Sequence, residues 1–233
     1  MTAARGPSVP GALGAIRTLA AVTWLRLLRG RALWVAILIA CVPSAYASLI
    51  RGRGWGSIGD ELLAFELLVT AVLAPMFVAS SIGEDIEDRT ATYLWSRPIP
   101  RWAVLAGKLA ALVPLAAVLV LGGWAVAANI AWGTLPALAT FVALALGVIA
   151  VAFVATAITC LAPRHGMALT IVYMLFVDHA VGALPAKLAE ISISYQVRQL
   201  ADPATGTRGA LALVIVGTVW SLVALWRVRR LEA

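Results

Sequence analysis

Four carboxylates fall within five residues at Glu84, Asp85, Glu87 and Asp88, out of 11 acidic residues in a chain of 233. They sit near the start of the stretch SSIGEDIEDRTATYLWSRPIPRWAVLAGK, Ser80 to Lys108, whose later part carries Arg97, Arg101 and Lys108. Carboxylates this close together could hold magnesium against a diphosphate, or could charge the first turn of a helix, where the backbone dipole favours negative groups. Three further ionisable residues, Glu66, Asp178 and His179, lie inside apolar runs. Burying a charge in lipid is expensive, so each is a candidate for a substrate path. The plainer reading is that all three lie near enough to the outer interface to reach water. Cys41 and Cys160 are far apart, have no CxxC spacing, and read as small packing residues.

The elements that would position these groups follow from composition. The chain is 62% hydrophobic and 12% charged, against about 45–50% and about 25% for a soluble domain. A spanning helix needs about 20 mostly apolar residues. Six such runs occur: Leu33 to Ile50, Leu62 to Ile82, Val104 to Ile130, Pro136 to Leu161, Met167 to Leu184 and Leu211 to Trp226. The expected fold class is therefore an all-α polytopic membrane protein with six transmembrane helices. Its expected domains are a cytoplasmic N-terminus over 1–32, one transmembrane domain over 33–226 and a basic cytoplasmic tail over 227–233. An inner loop spans 83–103, and an outer segment over 185–209 has room for one or two short helices.

Charge sets the orientation. With both termini inside, 13 of the 18 basic residues are cytoplasmic, leaving Arg51, Arg53, Lys187, Arg198 and Arg208 outside. Such an excess is the positive-inside pattern of a multi-pass protein of a prokaryotic cytoplasmic membrane. The net charge of +7 thus serves membrane orientation; no exposed basic stripe points to nucleic acid. Before the first span, Ile16, Leu19, Ala20, Trp24 and Leu27 or Leu28 recur at helical spacing among Arg17, Arg26 and Arg29, which predicts an interfacial amphipathic helix. A secretory leader is the other reading of this region, from Ala45-Tyr46-Ala47 and Leu38-Ile39-Ala40-Cys41, but the basic preamble is long for one and has its own amphipathic pattern.

Ser81 followed by Glu84 has capping-box spacing, so a short cytoplasmic helix is expected to begin there. Ile82, Ile86, Tyr93 and Leu94 would share a face, and Arg97-Pro98 would end it, because proline disfavours helical geometry in the residue before it. Spacing alone does not separate a solvated, capped loop from a docking element.

The same residues resemble the signature of ABC-2 type transporter permeases, in which an acidic patch leads into a Thr-x-x-Tyr/Glu-Leu pattern, then Arg-Pro-x-x-Arg, then Gly-Lys. Here these are Glu84, Asp85, Glu87 and Asp88; Thr90, Tyr93 and Leu94; Arg97, Pro98 and Arg101; and Gly107 with Lys108. Arg89 stands where many members carry glycine, and Trp95 replaces a common leucine. The resemblance implies a permease subunit of an ATP-binding cassette transporter, an exporter, paired with a second copy and docked on two ATP-binding subunits through a coupling helix. ATP and magnesium would belong to those partners, and this chain would bind no cofactor of its own. In keeping with that, no Gly-x-x-x-x-Gly-Lys-Ser/Thr loop occurs; Gly107-Lys108 is followed by Leu109.

Two other readings use the same features. Asp85-x-x-Asp88 resembles the aspartate pairs of membrane prenyltransferases, but those enzymes need a second acidic motif, and the other inner loop, Ala162 to Gly166, has Arg164 and His165 instead. A non-transporting assembly factor could keep the same bundle. Intramembrane proteolysis lacks both His-Glu-x-x-His and Gly-x-Ser-x-Gly. Pro43, Pro75 and Pro114 should kink their spans, and Gly122, Gly123, Ala127, Gly147 and Ala150 should allow close helix contact.

Overall fold

In a computed structural model, residues 12–51, 55–87, 100–185, 187–202 and 208–230 are described, and their regular structure is entirely helical. Helix α1 covers Ala12–Arg29, and the first span consists of α2, Arg31–Ala40, and α3, Val42–Ile50. Long helices follow: α4 over Trp55–Glu87, α5 over Arg101–Trp132 and α6 over Leu138–Leu161. The fifth span combines α7, Gly166–Val172, a π-helical turn, Tyr173–Asp178, and a short α8, His179–Gly182. A 3-10 turn at Lys187–Ile191 leads into α9, Ile193–Ala201, and α10, Arg208–Arg230, ends the described chain. Six of these units are long and apolar enough to cross a membrane, as the runs in the sequence require.

Two helices overshoot the span. At 33 and 32 residues, α4 and α5 reach about 50 Å, well beyond a hydrocarbon core of about 30 Å. Neither internal proline breaks them: Pro75 and Pro114 lie inside continuous helix. Pro43 behaves differently, since the first span breaks at Cys41 with Pro43 in the opening turn of α3. A proline at a helix start lacks only an N–H that would have no partner there.

Helix α4 is the most enclosed span, burying Leu62, Glu66, Leu73, Phe77 and Val78 completely or nearly so. It packs on α5, α6 and α7, while α6 also receives α10 and the short helix α9. Small residues make these approaches possible: a Cβ added at Gly147 would come within 2.8 Å of Val197, and one at Gly166 within 2.5 Å of Thr159. Interior packing, and not a hydrophobic drive between helices, is what associates helices in lipid. The outward faces of α2, α7 and α10 remain apolar, with Trp34, Leu38, Leu169, Leu211 and Ile215 exposed.

The N-terminal helix forms over the stretch its periodicity predicts. Ala15 is buried and Ile16, Leu19 and Leu27 are half-buried, whereas Trp24 is exposed. It lies along α5. The expected basic tail begins differently: Arg227, Arg229 and Arg230 form the last turn of α10, with Arg230 stacked 4.3 Å over the Trp226 ring. Basic side chains in a final turn suit the negative end of a helix dipole.

Candidate functional site

The acidic patch starts on α4 instead of starting a helix of its own. Ser81 and Glu84 lie inside the continuous Trp55–Glu87 helix, so the expected capping box is not formed. The residues before Ser81 are already helical, and its N–H is therefore not an orphan in need of a cap. The neighbouring Ser80 hydroxyl donates back to the Met76 carbonyl, the habit of a serine within a helix. Ser81 to Glu87 of the expected helix thus belong to the last two turns of α4, and of the loop expected over 83–103, residues 83–87 and 101–103 are helical, while 88–99 lie outside the described residues.

Three consecutive residues at this end of α4 each engage a different neighbour. A Cβ on Gly83 would meet the Pro163 carbonyl oxygen at 3.0 Å, so glycine lets α4 approach the turn after α6. Glu84 Oε2 accepts from the Arg26 guanidinium of α1 at 2.8 Å, with both side chains largely exposed. An exposed pair of this kind contributes about 0–1 kcal/mol. Asp85 Oδ2 faces Lys108 Nζ of α5 at 2.5 Å, and here the lysine side chain is 8% exposed and the aspartate 21%. Lys108 also donates to the Ser81 carbonyl. Its neighbour Gly107 admits α1, because a Cβ there would lie 3.0 Å from the Leu19 side chain and 3.1 Å from the Ile16 carbonyl oxygen.

These contacts form a clamp in which α1, α4 and α5 are held together at the base of the 88–99 segment. Glu84 and Asp85 are therefore engaged within the chain. Asp85 stands in an ion pair with Lys108. The side chains of Glu87 and Arg101, and all of Asp88, Arg89, Thr90, Tyr93, Leu94, Arg97 and Pro98, lie outside the described residues; so does the expected coupling helix beyond Glu87. Among the described residues, no group of three or more His, Cys, Asp or Glu side chains is arranged to hold a metal ion.

The intramembrane candidates separate into two sites. Asp178 is 2% exposed and its carboxylate accepts from the backbone N–H groups of Ile193 at 2.7 Å and Ser194 at 3.0 Å. Ser192 accepts from Tyr195 N–H at 3.2 Å, so the N-terminus of α9 is capped twice. An anion here also meets the positive end of the helix dipole. Asp178 closes the π-helical turn, whose wider winding is common at specialised positions. His179 is half-buried, with Nε2 3.4 Å from Arg198 of α9. Asp178 thus latches α9 to the fifth span.

Glu66 is fully enclosed and stands apart from this latch. Reaching water at the outer interface, one reading of the sequence, does not hold for Glu66 or Asp178. Burial by neighbouring helices, which the uniformly apolar spans do not reveal in sequence, is the reason.

No protein-family model matches the chain, and no curated protein matches it.

Proposed function

We propose that this chain is the membrane-spanning permease subunit of an ATP-driven exporter. It pairs with a second copy and docks on two separate ATP-binding subunits through the 84–101 region. The observation that carries the reading is the clamp at the root of the 88–99 segment. A docking element passes on force only if its base is stiff, and here the base is the unbroken α4, fastened to α5 by Asp85–Lys108, with α1 packed on α5 at Gly107 and only weakly tied to α4 by the exposed Arg26–Glu84 pair. Displacement of this segment by a moving partner would shift the helices at its base as one body, a rigid-body mode of switching. The resemblance of Glu84 to Lys108 to ABC-2 permeases supplies the identity of that partner. The basic excess at this end of the bundle supports a cytoplasmic position for that partner and for both termini, in a prokaryotic cytoplasmic membrane. ATP and magnesium bind the partner.

Vesicles reconstituted with the chain and the proteins that co-purify with it should hydrolyse ATP in the presence of magnesium, and vesicles holding the chain stripped of them should not. Hydrolysis absent from both, or equal in both, overturns the reading.

A further inference from the structure

Glu66 lies on α4 one turn beyond Leu63 and has no solvent exposure. Among the described residues neither carboxylate oxygen has a hydrogen-bond partner; its backbone carbonyl is occupied by the Thr70 hydroxyl at 2.9 Å. The carboxyl faces a seam where the first span, α4 and α5 converge. At Gly123 of α5, an added Cβ would stand 2.7 Å from the Ala40 carbonyl oxygen and 3.7 Å from Glu66 Oε1. Ala40 is the last residue of α2, immediately before the break at Cys41. The carboxyl is thus buried beside the one discontinuity in the first span.

Among the described residues no cation pairs with it; Arg198 of α9 lies beyond Leu63, in a cavity it shares with Asp60 and Trp124, and contacts His179. On the first span the titratable and charged groups are Arg31, Cys41 and Tyr46, and Tyr46 donates to Glu61 Oε2 at 2.7 Å. On α5, Lys108 is 15 residues along the helix from Gly123, roughly 22 Å, and is paired with Asp85. On α4 itself, Asp60 and Glu61 are acidic; α6 contributes Cys160, and the fifth span Asp178 and His179, which line a separate small cavity beside Leu67 and Thr70. An isolated carboxylate in such surroundings loses far more solvation than a neutral carboxylic acid does.

We propose that Glu66 is a proton-binding site: it holds one proton in the closed seam and releases it to water when the first span moves away from α5 at Ala40. Binding and loss of the proton are thereby linked to opening of the seam. Glycine at 123 keeps the seam shut, since only hydrogen fits against the Ala40 carbonyl. The inference concerns this chain alone and does not depend on an ATPase partner.

The test is infrared spectroscopy of the full chain in lipid nanodiscs at neutral pH, reading the C=O stretch of a protonated carboxyl. Wild type should show such a band and Glu66→Gln should lack it. Gly123→Ala, which wedges the seam open, should reduce the band to half or less and raise the carboxylate signal. Gly122→Ala, whose added Cβ meets nothing within 4 Å, should leave it unchanged. The proposal is overturned if wild type and Glu66→Gln have the same spectrum, which holds as a test even if Gly123→Ala does not fold. It is equally overturned if a folded Gly123→Ala keeps the full band, or if the Glu66 signal is a carboxylate that responds to sodium or potassium, which would make the occupant a metal cation.

Discussion

Replacing Lys108 with methionine should destabilise the bundle by about 3 kcal/mol, the lower part of the range for breaking one partner out of a buried ion pair. The methionine keeps most of the apolar stem but removes the ammonium that faces Asp85 and the donor to the Ser81 carbonyl. Asp85 retains 21% exposure of its side chain, and the water that reaches it is why the expected loss lies at the lower end. Asp85→Leu strands the more deeply buried lysine and should cost at least as much. The double variant Asp85→Leu/Lys108→Met removes both charges together and should recover most of the loss, because a well-packed apolar pair can replace a buried ion pair with little penalty. Thermal unfolding in detergent checks this: two clearly lowered midpoints and a restored third are expected. Single variants that melt with wild type would show that the pair does not hold α4 to α5.

Asp178→Ala should have a comparable effect at the other end of the molecule. It deprives the Ile193 and Ser194 amides of a charged acceptor, and each buried donor left unsatisfied costs about 1–3 kcal/mol. A total of about 3 kcal/mol is expected, concentrated in α9. Asp178→Asn keeps one oxygen as an acceptor, so its loss should be about half. Hydrogen exchange reads the local event directly: the amides of Ile193 to Val197 should lose protection in Asp178→Ala while those of α6 keep theirs. Unchanged protection in α9 would mean that Ser192 caps the helix adequately by itself.

The spans were legible because a bilayer imposes a length that apolar runs must meet, and all six runs coincide with helices. Their ends were less legible. Acidic residues after Ile82 look like the start of a new helix, yet Ser-x-x-Glu spacing also occurs within one, and only the helical state of residues before Ser81 decides between them. Gly83 does not interrupt the helix because helical continuity there is held by neighbouring packing, and the missing side chain is what lets the Pro163 turn approach. The break at Cys41 was readable from Pro43, while the absence of breaks at Pro75 and Pro114 was not, since a proline mid-span is accommodated when surrounding helices hold both halves in place.

At the candidate sites, the type of residue was visible and its partner was not. Glu84 and Asp85 were singled out as docking groups, but their ties to Arg26 and Lys108 cross 58 and 23 positions of sequence, beyond any helical period. Asp178 stood out as a charge in an apolar run; its role as a cap depends on a turn that brings Ile193 and Ser194 back to it. Glu66 was visible for the same reason, and its complete burial was hidden because spans that are apolar on every side do not announce which face meets lipid and which meets protein. Ser192 was the overlooked signal, a serine at the start of the polar, periodic segment that becomes α9.

The most direct test of the permease assignment is to purify the tagged chain gently from its native membranes and identify what accompanies it, comparing wild type with Asp88→Ala and Arg97→Ala. The account predicts a stoichiometric ATPase with the wild type, sharply reduced in both variants while the chain itself remains folded. A chain that purifies alone and turns over a prenyl diphosphate with magnesium would contradict it.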